Sequence, residues 1–438
     1  MKNKITSLLL ITLLSVFSTY AQSTKTISLE EAVSLAINNS DISKINEAKI
    51  AASQSEVNVA KNAQYPDLSI GGQYRHLTKV DFENKLGASS ADTNSESTTL
   101  PNVNQLLMGQ ADISMPLFSG FKIKNAVEAS KNLHLATTYK AKNDNEQLAL
   151  TTINLYITLY KAEESIALFE DNLKSAKQRV KDFTAMEENG ILAKNDLLKA
   201  QLQESSVELS LEEARKNKRI LNYKLAVLLK LPEDTVISTI HKDFGMVPET
   251  VKSDSIYRND LQALKYQELA TENQIKMAKA NYYPSIGLVG GYMAADVRNA
   301  FTLTNAINFG VGVSYNLSDI FKNKSEVEVA KSKAEELQYA IDKVTDDIKI
   351  EIENANQEYL LALKKLDVYT ISEEQAVENY RIVKDKFDNG LADTNDTLEA
   401  DLQQLQAKIN LAYARADISQ KYYELLTAQG RLTQLINK

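Results

Sequence analysis

The residues of this chain that could do chemistry are carboxylates at two matched places. Asp196 and Asp396 each stand six residues after the glycine of an Asn-Gly pair (Gly190, Gly390), and each opens a helical tract. In the second copy Glu399 follows Asp396 by three residues, so two carboxylates share one face of a helix start; in the first copy Lys199 takes that place. From residue type and spacing alone, each Asp favours the positive N-terminal end of the helix it opens. Catalytic and metal chemistry find little support. His76, His134 and His241 are isolated, and none makes a metal-ligand pair. The chain has no Cys, which removes disulfides and thiolate metal sites. It carries no Gly-rich phosphate loop, and its seven Met are scattered rather than clustered as a copper-handling set would be. Neither an enzyme nor a cofactor is expected.

The elements that position these acids are duplicated. Asn189 to Gln203 recurs as Asn389 to Gln403, at an offset of 200. A repeat of this length marks a doubled structural unit. Apolar residues ahead of the first copy keep a 4-3 spacing: Leu155, Leu159, Ala162, Ile166, Phe169, Leu173, Ala176, Val180 and Phe183. The same rungs plus 200 are apolar or aromatic except Glu373. That is a coiled-coil seam. No Pro interrupts 117–231 or any position after 284. Helices over 121–187 and 321–387 would each run roughly 100 Å, turn at Gly190 or Gly390, and return over 195–230 and 394–436. The domain reading is a first repeat at 22–231 with a tip near 187–196, an irregular connector at 232–257 (with Pro232, Gly245 and Pro248), and a second repeat at 258–438 with a tip near 387–396.

Upstream of each long helix the period changes. Ser28 and Glu31 begin a short helix with a capping-box pattern, and 42–64 reads as a second helix ended by Tyr65-Pro66. Tyr283-Pro284 is the matching stop, here at an offset of 218. After each stop, alternation of period two begins. Leu68, Ile70 and Tyr74 match Ile286, Leu288 and Tyr292; Ala111, Ile113, Met115 and Leu117 form another run, and Ile307, Phe309, Val311, Val313, Tyr315 and Leu317 a fourth. The two β-hairpins fall at about 66–118 and 284–318. Their links differ: a polar loop at about 78–104, and a short one at about 297–304. The 200 register resumes at Leu117/Leu317, Phe121/Phe321, Lys122/Lys322 and Lys124/Lys324.

Residues 1–21 resemble a secretory signal, with Lys2 and Lys4, the apolar stretch Ile5 to Phe17, and small Thr19 and Ala21 before a cut after Ala21. Without it the balance is 48 basic against 58 acidic residues, which argues against a nucleic-acid partner. Four strands with one apolar face cannot end in hydrocarbon as an open sheet, because edge N–H and C=O groups would be unsatisfied. Membrane barrels have at least about eight strands. If these strands lie in a membrane, two or more chains must pool them. The alternative is a soluble sheet packed on helices, which needs a cover for every apolar face.

The doubled tips reading Asn-Gly-x-x-x-x-x-Asp, set between long helices and preceded by β-hairpins and a signal segment, resemble the TolC-like outer-membrane efflux proteins. The resemblance covers essentially all of the mature chain. It implies a mostly α fold with a membrane β-barrel part: a homotrimer with one 12-stranded barrel in outer-membrane lipid and a helical tunnel in the periplasm of a Gram-negative cell. It implies as partners a periplasmic adaptor and an inner-membrane pump, and as function an exit duct for tripartite efflux or type I secretion. It also implies a periplasmic gate ringed by acids at Asp396 and Glu399, with Asp196 as the first-repeat counterpart. Phe387 stands where the family often has tyrosine and Ala392 where it has arginine, so a lock built on those polar groups is in question. The competing function is a secreted coiled-coil scaffold or adhesin without a pore, which has no need of two apolar-faced hairpins.

Overall fold

The computed structural model describes residues 24–78, 104–240, 244 and 258–436. The expected signal segment, most of the 78–104 loop, and His241, Gly245 and Pro248 lie outside the described residues. In chain order the elements are β1 (Thr24–Ile27), α1 (Leu29–Asn39), α2 (Asp41–Asn62), β2 (Asp67–His76), β3 (Gln105–Ser119), α3 (Lys122–Glu188), α4 (Lys194–Leu229), β4 (Val236–Thr239), α5 (Asn259–Ala280), β5 (Ser285–Val297), β6 (Phe301–Ser314), α6 (Asp319–Asp388), α7 (Thr394–Ala428) and α8 (Leu432–Ile436). They form two units. One comprises Met1–Ala48, Tyr139–Gln262 and Lys343–Lys438, the other Lys49–Thr138 and Ala263–Asp342.

The second unit holds the sheet. Its order is β2-β3-β5-β6, antiparallel throughout, so β2 and β6 are both edges. The register sorts side chains as the alternation requires. Leu68, Ile113, Gly290 and Phe309 make one row across the sheet, and Ile70, Ala111, Tyr292 and Ile307 another on the same face. Ser69, Asp112, Gly291 and Asn308 make a row on the opposite face. Among the described residues nothing covers the apolar face: Ile70 is 82% exposed, Ile307 75% and Phe309 92%. The second hairpin link is tighter than the expected 297–304. Strand pairing runs from Val297 to Phe301, and Asn299 takes φ +64 in the three-residue turn between them.

The first unit holds the main core, where α1, α3, α4, α7 and α8 meet a two-stranded parallel sheet of β1 and β4. Part of the connector read as irregular is therefore a strand, held because Val236–Thr239 pairs with Thr24–Ile27. Tyr156 is fully buried at this junction; its hydroxyl donates to the Ile27 carbonyl at 2.7 Å and accepts from the Ile240 N–H at 2.9 Å. The returning helix expected over 394–436 is also broken. It ends at Ala428, where Gly430 takes φ +70 while the Gly430 and Arg431 N–H groups close onto the Thr427 and Leu426 carbonyls. This glycine-dependent closure stops a helix that no proline interrupts. Ser28 caps α1 as expected, accepting the Glu31 N–H at 3.1 Å.

Glu146 of α3 secures the segment after the break. Its buried carboxylate accepts the Leu432 N–H at 2.8 Å and an Asn259 amide hydrogen at 3.3 Å. Nearby Arg258 pairs with Asp260 at 2.7 Å and Glu351 at 2.5 Å. Burial raises the Glu146 pKa above the ordinary 4.5, outweighing the hydrogen bonds from Leu432, Thr433 and Asn259 and the Arg258 charge. The folded chain thus binds this proton more tightly than the unfolded one, so its stabilisation is complete below about pH 4.5 and is lost as pH rises through the folded value. Amide-exchange protection at Leu432, corrected for intrinsic rates, should fall across that interval, and Glu146→Gln should flatten the dependence. Tyr156→Phe should cost about 1–3 kcal/mol in unfolding measurements, because it strands a carbonyl and an N–H in the core.

Candidate periplasmic gate

The two tips are built by the same closure. At the end of α3, Gly190 has φ +72, and the Gly190 and Ile191 N–H groups donate to the Glu187 and Met186 carbonyls at 2.9 and 2.8 Å. At the end of α6, Gly390 has φ +73, with Gly390 and Leu391 donating to Phe387 and Lys386 at 3.0 and 2.8 Å. Both glycines satisfy the last carbonyls of a long helix in a backbone shape costly for other residues.

Beyond the turns the copies diverge. Asp196 and Asp396 are each the third residue of their returning helix. In the first copy Asp196 pairs with Lys199 at 3.2 Å, and Ala193 offers no side-chain cap. In the second copy Asp393 and Asp396 form a reciprocal cap. The Asp396 N–H donates to Asp393 Oδ1 at 3.0 Å, and Asp396 Oδ2 accepts the Asp393 N–H at 3.3 Å. Glu399 is exposed and accepts from Gln403 at 3.1 Å. Asp396 and Glu399 thus stand near one another on the helix start with no cation paired to either among the described residues. No hydrogen bond or ion pair joins either of them to Asp196 among the described residues. The positive helix end favours these carboxylates, and their like charges oppose one another.

The structure adds residues that sequence reading missed. Arg179 of α3 pairs with Asp401 of α7 at 3.1 Å and donates to the Tyr380 hydroxyl of α6 at 3.1 Å. Asn172 lies 3.4 Å from both Asp401 oxygens. Arg179 and Asp401 are both buried. Burial, the largest influence on Arg179, pulls its pKa down. Asp401 and Tyr380 outweigh it and hold the guanidinium above its usual value. Nearer the tip, Phe387 meets Phe183 with ring centroids 5.4 Å apart. A groove of about 520 Å³ opens between the hairpins, lined by Arg179, Phe183, Tyr380, Lys384 and Phe387 among others. The signal for the network is a break in the repeat: Arg179 answers Asn379, Val180 answers Tyr380 and Gln201 answers Asp401. Three departures from the duplication meet at one point.

The seams differ too. In the first hairpin Leu173, Ala176 and Phe183 of α3 are buried, as are Leu197, Ala200, Val207 and Leu211 of α4. Ile166, Phe169 and Val180 of α3 are half-buried. In the second hairpin Tyr359 and Ala362 of α6 and Ala400, Leu405, Leu411 and Ala414 of α7 are buried, but the α6 rungs Leu366, Tyr369, Ala376, Tyr380 and Val383 are only half-buried. Asp401→Leu should cost about 3–5 kcal/mol, read as faster amide exchange around 172–183, because it leaves Arg179 buried and unpaired. Adding Arg179→Met should restore most of that loss.

Comparison with known proteins places this architecture. The chain is 22% identical over 327 residues to the outer membrane efflux protein BepC of Brucella suis, covering 73% of this chain and 71% of BepC. Its fold is similar to the outer membrane protein VceC of Vibrio cholerae, with TM-score 0.74, 16% identity and 92% and 96% of the two chains covered. It is similar also to the CmeC outer membrane channel of Campylobacter jejuni, with TM-score 0.75, 16% identity and 95% and 91% covered. The sequence profile of the outer membrane efflux proteins matches residues 33–229 and 256–431. With most of both repeats inside that match, the chain belongs to the outer membrane efflux protein family, whose members are channels of the outer membrane that extend into the periplasm.

Proposed function

We propose that this chain is the outer-membrane exit duct of a tripartite efflux or type I secretion system, passive in itself and driven by an inner-membrane pump through a periplasmic adaptor. The observation that carries the proposal is the four-stranded sheet with two unpaired edges and a bare apolar face. Such a sheet is satisfied in lipid only by closure. Three copies would supply 12 strands, within the range of outer-membrane barrels. The half-buried rungs of α6 from Leu366 to Val383 support the same assembly, since a helix face left partly open within one chain suits packing against another. The repeats at 22–231 and 258–438 would each give one hairpin and one coil to that body, joined by the connector at 232–257.

In this assembly Asp396 and Glu399 make two stacked rings of three carboxylates at the periplasmic mouth, favouring cations and opposing anions. Asp196 belongs to the same constriction but is largely neutralised by Lys199. Gly190 and Gly390 set the turns. Phe387, packed on Phe183, gives this gate an apolar contact where the family often has a polar one, and closure then rests on the Arg179–Asp401–Tyr380 network.

Reconstitution in a planar bilayer tests the duct: an assembled oligomer should conduct, and a silent one would leave the pore-free scaffold as the better reading. Asp396→Asn with Glu399→Gln should raise resting conductance or reduce cation preference, read from reversal potentials in a salt gradient. Unchanged values for both would remove these residues from the gate.

A further inference from the structure

A groove of about 500 Å³ lies where β3 gives way to α3, within the range of ligand-sized cavities. Its walls are of two kinds. Leu117, Phe118, Phe121 and Ile123 make an apolar side, and Lys61 from the last turn of α2 and Lys124 from the first turn of α3 make a basic one. The apolar side continues the bare face of the sheet, since Phe118 pairs across the strands with Ile286, which shares a face with Leu288. Phe121 meets Phe118 edge-on at 5.4 Å and remains exposed. It is held at φ +67, a backbone shape that costs a bulky residue about 1–3 kcal/mol.

The lysines are uncommitted. Among the described residues neither Lys61 nor Lys124 has a carboxylate within ion-pair distance. Glu128, which also lines the groove, is taken by Lys131 at 2.7 Å. The second repeat differs at the matched position: Lys324 lies 3.9 Å from Glu328, and Phe321 sits inside α6 with ordinary helical φ. Only the first repeat therefore joins a strained, exposed aromatic to two unpaired ammonium groups.

We propose that this groove binds the headgroup of an anionic phospholipid of the leaflet facing the periplasm. The phosphate sits between Lys61 and Lys124, and an acyl chain runs over Phe118 and Leu117 onto the apolar sheet face. The inference rests on the reading of these strands as membrane strands. The chemistry is that of basic residues at a membrane boundary, where each lysine adds roughly fivefold to anionic-lipid binding, and of aromatic rings that settle at headgroup level.

The test is native mass spectrometry of the full-length oligomer released from nanodiscs of phosphatidylglycerol and phosphatidylcholine mixed equally, with single-channel conductance recorded on the same preparation. Wild type should retain phosphatidylglycerol several-fold over phosphatidylcholine. Lys61→Gln with Lys124→Gln should bring the ratio near parity, Lys61→Arg with Lys124→Arg should keep it, and Lys322→Gln with Lys324→Gln should leave it unchanged. Equal retention of both lipids by a conducting wild type, or an undiminished ratio in the conducting Gln pair, would overturn the lipid site and leave the duct standing. Absence of conductance in wild type would instead remove the membrane reading on which the site depends.

Discussion

Backbone hydrogen bonding at the two edges of the sheet governs what this molecule can be. A strand edge in water is solvated and merely sticky; in hydrocarbon each open N–H or C=O costs several kcal/mol. Among the described residues the register leaves the outer edges of β2 and β6 unpaired, while the row of Leu68, Ile113, Gly290 and Phe309 presents a surface suited to lipid. One chain cannot meet both demands. In the proposed assembly the membrane form is a property of several chains, and the half-buried rungs of α6 from Leu366 to Val383 leave a second face for a neighbour beyond the sheet.

Duplication made most of the fold legible before any coordinates. The shared offset of 200 located both tips and both coils, and the change from helical period to period two located all four strands of the larger sheet. What escaped reading had specific causes. β1 and β4 are four residues each, too short to establish a period, and they pair across more than 200 positions. The halt after Ala428 depends on Gly430 adopting a left-handed backbone, a choice that one glycine near a helix end does not announce. The candidate gate residues were legible to a different extent. Types and spacing found Asp196, Asp396 and Glu399 at their helix starts, whereas Arg179, Tyr380 and Asp401 lie on three helices and came together only in space.

Divergence between the copies is where the duplicated unit became specialised. The first coil buries more of its α3 rungs than the second buries of α6, pairs its tip acid with Lys199 and spends no side chain on capping α4. The second keeps its acids free of cations and ties Asp396 into the helix cap. At the boundary between sheet and helices the inequality reverses, with the first copy holding the uncommitted lysines.

The main core also sets an order of events for a chain that must be exported before it folds. Ile27 and Leu432 belong to one packed cluster, and β1 finds its partner only at Val236. A polypeptide threaded through a membrane N-terminus first delivers Ile27 long before Leu432. Helices of the first repeat can form as they emerge, but their core-facing sides stay open until Leu432 arrives, and contacts this distant in sequence form slowly. The newly delivered chain thus passes through a long interval with exposed apolar surface, the condition under which chains aggregate and chaperones are needed.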